Sequence, residues 1–302
     1  MKRPDRVLKK ICQYCGYGLL ALFIALFIVL YAGSHQSLMQ FRWHFFSNAI
    51  WDPAHQQFGA LSAIIGTLIS SALAICIALP LALGIAIFTT NMVPDKVATG
   101  LSVALQVLAG IPSIIFGMWG LFVVTPWFAV YVEPFLAATL GQLPIVGLLF
   151  SGPTPGIGVL CAGFVLAVMI IPLLANMMVS LLQKVPALLK ESGYATGATR
   201  LEVVSSIQLP YLRDGIIGSV ILGLGRALGE TMAVTFVIGN AHRLSLSLFM
   251  PGNTISSTIA NEFTEATSSL YISSLMGLAL VLMFITFGTL SVARLLLNRY
   301  EP

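Results

Sequence analysis

The apolar residues of this chain come in long uninterrupted runs, not in the short alternating or helical stripes of elements that face water on one side. Hydrophobic residues make up 58% of the sequence and charged residues 9%, whereas an ordinary soluble domain carries about a quarter charged residues. A soluble fold with that balance would expose too much apolar surface. Lipid is therefore the solvent for most of the chain, and the class that follows is an all-α integral membrane protein.

About 20 apolar residues cross the hydrocarbon core, and six such spans can be read: 12 to 34, 60 to 89, 99 to 125, 157 to 182, 215 to 239 and 270 to 293. The second is long enough to tilt or to extend beyond the membrane. The basic leader Lys2, Arg3, Arg6, Lys9 and Lys10 and the small Ala32-Gly33-Ser34 also fit a cleaved signal peptide, but the apolar run exceeds the roughly 7 to 15 residues of a signal core. Basic loops stay in the cytoplasm. With the N-terminus inside, twelve of the fifteen Lys and Arg residues fall inside, including Lys96, Lys184, Lys190, Arg200, Arg213, Arg294 and Arg299. Arg42 and Arg243 fall outside, and Arg226 lies within a span. Both termini are expected in the cytoplasm, and the net charge of +4 reads as topology, with no nucleic-acid partner.

Cys76 and Cys161 sit in spans, and Cys12 and Cys15 sit at the inner edge of the first. With no second pair to complete a site, they read as packing residues. His35, His44, His55 and His242 all fall in outer loops, and no metal site is expected. The outer stretch 35 to 58 is aromatic and polar, suiting an interfacial helix plus a loop at headgroup level. The stretch 127 to 156 is broken by Pro134, Gly141, Pro144, Gly147, Gly152, Pro153, Pro155 and Gly156, and short re-entrant or surface helices are expected there on the outer side. Ser62, Gly66 and Ser70 form a small-residue stripe for close helix packing. Gly110-Ile111-Pro112-Ser113 should kink or interrupt the third span. The chain reads as one membrane domain, 1 to 302, with its core from 60 to 293.

One long cytoplasmic loop, 184 to 214, separates the fourth and fifth spans. It reads as two short helices: one from Pro186 to near Gly197, where glycine can close a helix in the left-handed conformation, the other from an N-cap at Thr199 to Leu209, stopped by Pro210. Such a helix, glycine and helix arrangement can press into a groove on a soluble partner, or can simply connect two spans. Glu191-Ser192-Gly193, then Gly197, Ile207 and Leu209-Pro210 resemble the EAA loop of ABC importer permeases, with Ser192-Gly193 in place of the alanine pair. The resemblance implies a coupling loop (Glu191, Gly197, Ile207, Leu209, Pro210) that docks on a cytoplasmic ATPase dimer, in a permease of the type I architecture with about six transmembrane helices.

Within the fifth span, Arg226 lies near the middle and Glu230 four residues on, a spacing that places two helical side chains on one face. Intramembrane charges are costly and are paired or functional. Two readings stay open: an ion pair that fixes helix packing, or an arginine that offers charge to a passing anion while Glu230 holds it. Planar guanidinium suits phosphate oxygens, and would serve sulfate or molybdate as well. Gly225-Arg226-Ala227-Leu228-Gly229-Glu230-Thr231 and Ala109-Gly110-Ile111-Pro112-Ser113 resemble the phosphate-specific ABC permeases of the PstC type. That resemblance implies import of inorganic phosphate across the bacterial inner membrane, delivered by a periplasmic phosphate-binding protein. It also implies a second permease of the PstA type, and Arg226 and Glu230 as residues of the substrate pathway. No G-x-x-x-x-G-K-[ST] loop is present, so ATP would be used by the partner, with no cofactor on this chain. No enzymatic constellation is seen. A secondary anion transporter would also carry broken helices and a midplane charge, but it has no use for an ATPase-docking loop.

Overall fold

The computed structural model describes residues 3–298, with side chains from 9 to 292. Lys2 and Arg299, and the side chains of Arg3, Arg6 and Arg294, lie outside the described residues. Helix α1 (Arg3–Phe41) is followed by α2 (His44–Ser47) and a small antiparallel hairpin, β1 (Trp51–Asp52) and β2 (Gln57–Phe58), in which Trp51 faces Phe58. Helix α3 (Leu61–Ile87) is prolonged by a π turn, Phe88–Met92, and leads to α4 (Asp95–Ala109). A continuous helical run, α5, spans Ser113–Gln142, and α6 spans Val159–Leu182. The 184 to 214 loop holds α7 (Ala187–Ala195) and α8 (Arg200–Val203), the latter prolonged by the π turn Val204–Gln208 and the turn Leu209–Tyr211. Then come α9 (Arg213–Gly229), α10 (Met232–Val237), α11 (Ile255–Glu262) and α12 (Ser269–Asn298).

Helices α3 and α6 form the centre. The small-residue stripe runs the whole length of α3: Ser62, Gly66, Ser70, Ala74, Ala78, Ala82 and Ala86, one every fourth residue, are all buried. Without bulky side chains on that face, backbones come close enough for dispersion and weak polar contacts to hold them together in lipid. A methyl group on Gly66 would lie 1.9 Å from the carbonyl oxygen of Asn253, and one on Gly163 would lie 2.8 Å from Leu73 Cβ. Helix α6 is buried on several faces, with Val165, Leu166, Ile170, Leu174 and Met178 inside the core.

Helix α1 stands at the edge, packed antiparallel on α12. The Ser37 amide donates to Ser273 Oγ at 3.0 Å, Ser274 Oγ donates to Ser37 Oγ at 3.1 Å, and Phe27 meets Phe284 edge-on. The two chain ends thus share one side of the molecule, in keeping with the charge rule, and that side is called inner below.

Several spans differ from the sequence reading. The Gly110-Ile111-Pro112 break is complete: α4 ends at Ala109 and α5 begins at Ser113, so the third crossing is 113 to 142, not 99 to 125. The re-entrant helices expected from 127 onward are replaced, as far as Gln142, by the second half of this crossing. Two π turns, Gly120–Val124 and Phe128–Val132, seat Pro126 and Pro134 at the start of the segments that follow, where a missing amide hydrogen matters least. The fifth span is not one helix, since it breaks between Gly229 and Met232. Five helices among the described residues are long and apolar enough to cross a membrane, and the α9–α10 pair supplies the broken sixth. Finally, the 35 to 58 region holds a hairpin beside its short helix.

Gly66→Ala is expected to destabilise the detergent-solubilised protein by about 1–3 kcal/mol, the scale of overpacking a filled contact. Gly84→Ala, on the same helix but with nothing within 4 Å of the added methyl, is expected to leave the melting midpoint unchanged or raised. Equal losses in the two melts would refute a special role for the close α3 contact.

Candidate functional site

Helix α7 ends at Gly197, whose φ of +84° is the left-handed conformation that the sequence called for. Thr199 then caps α8: its hydroxyl accepts from the Glu202 amide, and Glu202 accepts from the Thr199 amide at 2.7 Å. These backbone and side-chain bonds hold the Glu202 carboxyl below its ordinary value. Pro210 does not stop the second helix. The π turn Val204–Gln208 leaves unpaired the amide position that proline lacks, and the chain turns only at Leu212. Gly193 packs directly under Ile207 and Val203, where a methyl group would lie 2.5 Å from Ile207 Cδ1, so α7 and α8 form one unit. Val203, Val204 and Gln208 face inward, Ile207 and Leu209 are half-buried, and Glu191, Gly197 and Pro210 are exposed. Leu188, Leu201 and Tyr211 are exposed too, which leaves apolar surface on the free side of the loop.

The two charges of the fifth span do not pair. Helix α9 stops at Gly229, and Glu230 takes an extended backbone, φ −69° and ψ 127°. The four-residue register that would stack it on Arg226 is lost. Glu230 is instead buried, with Oε1 accepting from the Ala233 amide at 3.3 Å at the first turn of α10, a position favourable for negative charge. Ser219 and Gly223 of α9 and Ala233 of α10 are buried as well. Arg226 does not share their burial. It is exposed on the face that carries Leu222 and Gly229, and among the described residues no carboxylate lies within 4 Å of it.

A second polar cluster, on the outer side, was not visible in the sequence. Glu262 at the end of α11 accepts from Trp51 Nε1 and, at 2.7 Å, from the Tyr271 hydroxyl through Oε2, while Oε1 lies 2.6 Å from His242 Nε2. The Asn253 side-chain amide reaches His242 Nδ1 at 2.9 Å and Thr258 Oγ1 at 3.2 Å, and the Thr258 hydroxyl itself donates to the Thr254 carbonyl. Asn253 is therefore the donor, His242 Nδ1 accepts, and Nε2–H donates to Glu262. The imidazole also stacks on Trp51 at 6.0 Å. This clasp ties the hairpin, the 240s loop, α11 and α12 together. Its only sequence signal was one acid and one histidine in outer loops rich in aromatic residues.

Residues 78–299 match the sequence family described as binding-protein-dependent transport system inner membrane component. The chain belongs to that family. This permease is 50% identical over 274 residues to the phosphate transport system permease protein PstC of Mesorhizobium japonicum, covering 91% of this chain and 84% of the relative. It is 48% identical over 280 residues to the PstC protein of Haemophilus influenzae, covering 93% and 89%. Among solved structures, a chain of a bacterial alginate ABC transporter bound to its alginate-loaded periplasmic protein superposes with a TM-score of 0.61 at 17% identity, over 95% of this chain and 96% of that one. A chain of the inward-facing MetNI methionine ABC transporter superposes with a TM-score of 0.57 at 17% identity, over 84% and 100%. The fold is that of an ABC importer permease.

Burial alone would raise the Glu262 carboxyl, but the hydrogen bonds from His242, Tyr271 and Trp51 outweigh it and hold the group below its ordinary 4.5. Its stabilising effect is complete above that value and lost as pH falls through the lowered folded-state pKa. Glu262→Gln is expected to cost about 1–3 kcal/mol at pH 7, since one buried donor loses its charged acceptor. The gap from the parent should shrink as melts are repeated below pH 4.5. A gap that stays constant with pH would mean that the charge on Glu262 does not hold the clasp.

Proposed function

We propose that this permease imports inorganic phosphate across the bacterial inner membrane as one half of a pathway shared with a second permease of the PstA type. A cytoplasmic ATPase dimer drives it, a periplasmic phosphate-binding protein feeds it, and the chain itself binds no cofactor. The observation that carries the reading is close to half identity, over about nine-tenths of the chain, to permeases named for phosphate transport. The geometry supports the coupling and the substrate path. A rigid two-helix loop with exposed Leu188, Leu201 and Tyr211 is suited to a soluble ATPase, because apolar patches of this kind mark partner surfaces.

Arg226 supports the substrate. A guanidinium near mid-span is costly against lipid, so its exposed face belongs on a water-lined path completed by the second permease. There its planar donors can meet phosphate oxygens in pairs. Glu230, now a helix-end residue in place of an ion-pair partner, fixes the break that lets α9 present Arg226 to the path. ATP-driven closure of the ATPase would push the loop around Gly197 and rock the spans about that path.

Proteoliposomes holding this chain, its permease partner and the ATPase, with loaded binding protein opposite, are expected to take up radiolabelled phosphate only with ATP on the motor side and undiminished by excess sulfate. ATP hydrolysis without phosphate uptake would overturn the substrate and keep the architecture. Arg226→Ala is expected to lower uptake by at least about tenfold, the scale of one lost charge-assisted contact, with assembly intact. Gly197→Val forces a β-branched residue to a left-handed backbone at a cost of about 1–2 kcal/mol, with open space around it. It should leave insertion and subunit assembly intact while reducing phosphate moved per ATP hydrolysed. Loss of insertion would count against the coupling role.

A further inference from the structure

The coupling loop touches the membrane domain through a side chain as well as through its continuous backbone. Gln208, fully buried in the π turn Val204–Gln208, donates from Nε2 to Asn91 Oδ1 at 2.9 Å, across 117 residues of sequence. Asn91 sits in the other cytoplasmic π turn, Phe88–Met92 at the inner end of α3. Its amide donates to Thr90 Oγ1 at 2.8 Å and to the Ile87 carbonyl at 3.4 Å, and Thr90 Oγ1 donates to the Ala86 carbonyl at 2.8 Å. Ala86 is the last small residue of the α3 stripe. A continuous line of polar contacts thus runs from the loop to the backbone of the central helix.

We propose that the Gln208–Asn91 bond is a second transmission point of the importer, a positioning contact through which loop movement displaces the inner end of α3 as well as α9. Three observations carry it. The loop moves as a unit, because Gly193 locks α7 beneath Ile207 and Val203, so a push on α7 reaches Gln208. Beside the bond, loop and α3 are held apart by an open cleft of about 680 Å³, with Lys190, Tyr194 and Arg200 on the loop side and Thr90 to Pro94 on the other. Asn91 lines this cleft, whereas Gln208 is fully shielded from solvent, so the bond lies at the buried margin of the cleft. Each end is a π turn, a backbone form that gathers at functional positions. Among the described residues Gln208 Oε1 has no hydrogen-bond partner, so the direction of the side-chain amide is set by the Asn91 bond.

The proposal rests on the importer reading, and its test scores the two separately. In the reconstituted complete transporter, Gln208→Leu removes the donor at similar volume, Asn91→Ala removes the acceptor outside the docking loop, and Asn91→Asp keeps an acceptor oxygen. Phosphate moved per ATP hydrolysed is expected to fall about three- to tenfold in the first two, the scale of one buried hydrogen bond, and to stay near the parent value in the third. The double variant Gln208→Leu with Asn91→Ala should be no worse than either single one, since both remove the same contact. Unchanged ratios, or losses that multiply in the double variant, would overturn the relay. If Gln208→Leu fails to copurify with the ATPase, Asn91→Ala against Asn91→Asp decides alone. Should the parent complex hydrolyse ATP yet move no phosphate, the substrate reading fails. The relay is then scored by stimulation of ATP hydrolysis by the loaded binding protein, with the same expected loss and the same overturning result.

Discussion

A close crossing of α3 and α6, made possible by one small residue in every turn of α3, sets the distances for everything around it. Lipid tails are as apolar as leucine, so burial of large side chains gives helices little reason to associate. Backbone proximity does, and it is unforgiving: at the crossing itself Gly163 of α6 leaves no room for a methyl group against Leu73 of α3, and further along α3 Gly66 leaves none against the Asn253 backbone. The helices that carry the functional residues, α9 with Arg226 and the loop with Gln208, are hung on this rigid pair.

The second constraint is the obligation of every backbone amide in hydrocarbon to find a partner. Proline and glycine in the apolar runs work against it; Pro80 and Pro172 are carried inside the unbroken helices α3 and α6, and elsewhere the chain reconciles such residues in two ways. Where the peptide group can be re-paired locally, a π turn absorbs the proline and the helix continues, as at Pro126, Pro134 and Pro210. Where it cannot, the helix ends, and a side chain takes over the freed amide, as Glu230 does for Ala233.

That distinction explains what the sequence disclosed. The membrane class, the small-residue face, the Gly110–Pro112 break, the Gly197 turn and the Thr199 cap were legible, because each is written in residues within a few positions of one another. The continuation of α5 to Gln142 was not. A proline pattern reads as a break unless π turns are anticipated, and these depend on neighbouring helices. The Arg226–Glu230 pair failed for a related reason, since four-residue spacing places side chains together only on an unbroken helix. The outer clasp and the Gln208–Asn91 bond join residues far apart in sequence, and nothing local announces them.

The edge position of α1 has a consequence for how the protein is made. Along most of its length it packs on α12, with Phe41 at its end on Phe58 of the hairpin, and the Ser37–Ser273 bond joins residues 236 apart. Of the two, α1 leaves the ribosome earlier and must therefore wait for α12. At about 5–20 residues per second, the wait is on the order of ten to fifty seconds. For that period Ser37 lacks the partners on α12 that it later meets, whereas Ser34 can already donate to the Tyr31 carbonyl of its own helix. The central helices α3 and α6 are both made within that interval, so α1 and α12 close onto a pair that already exists.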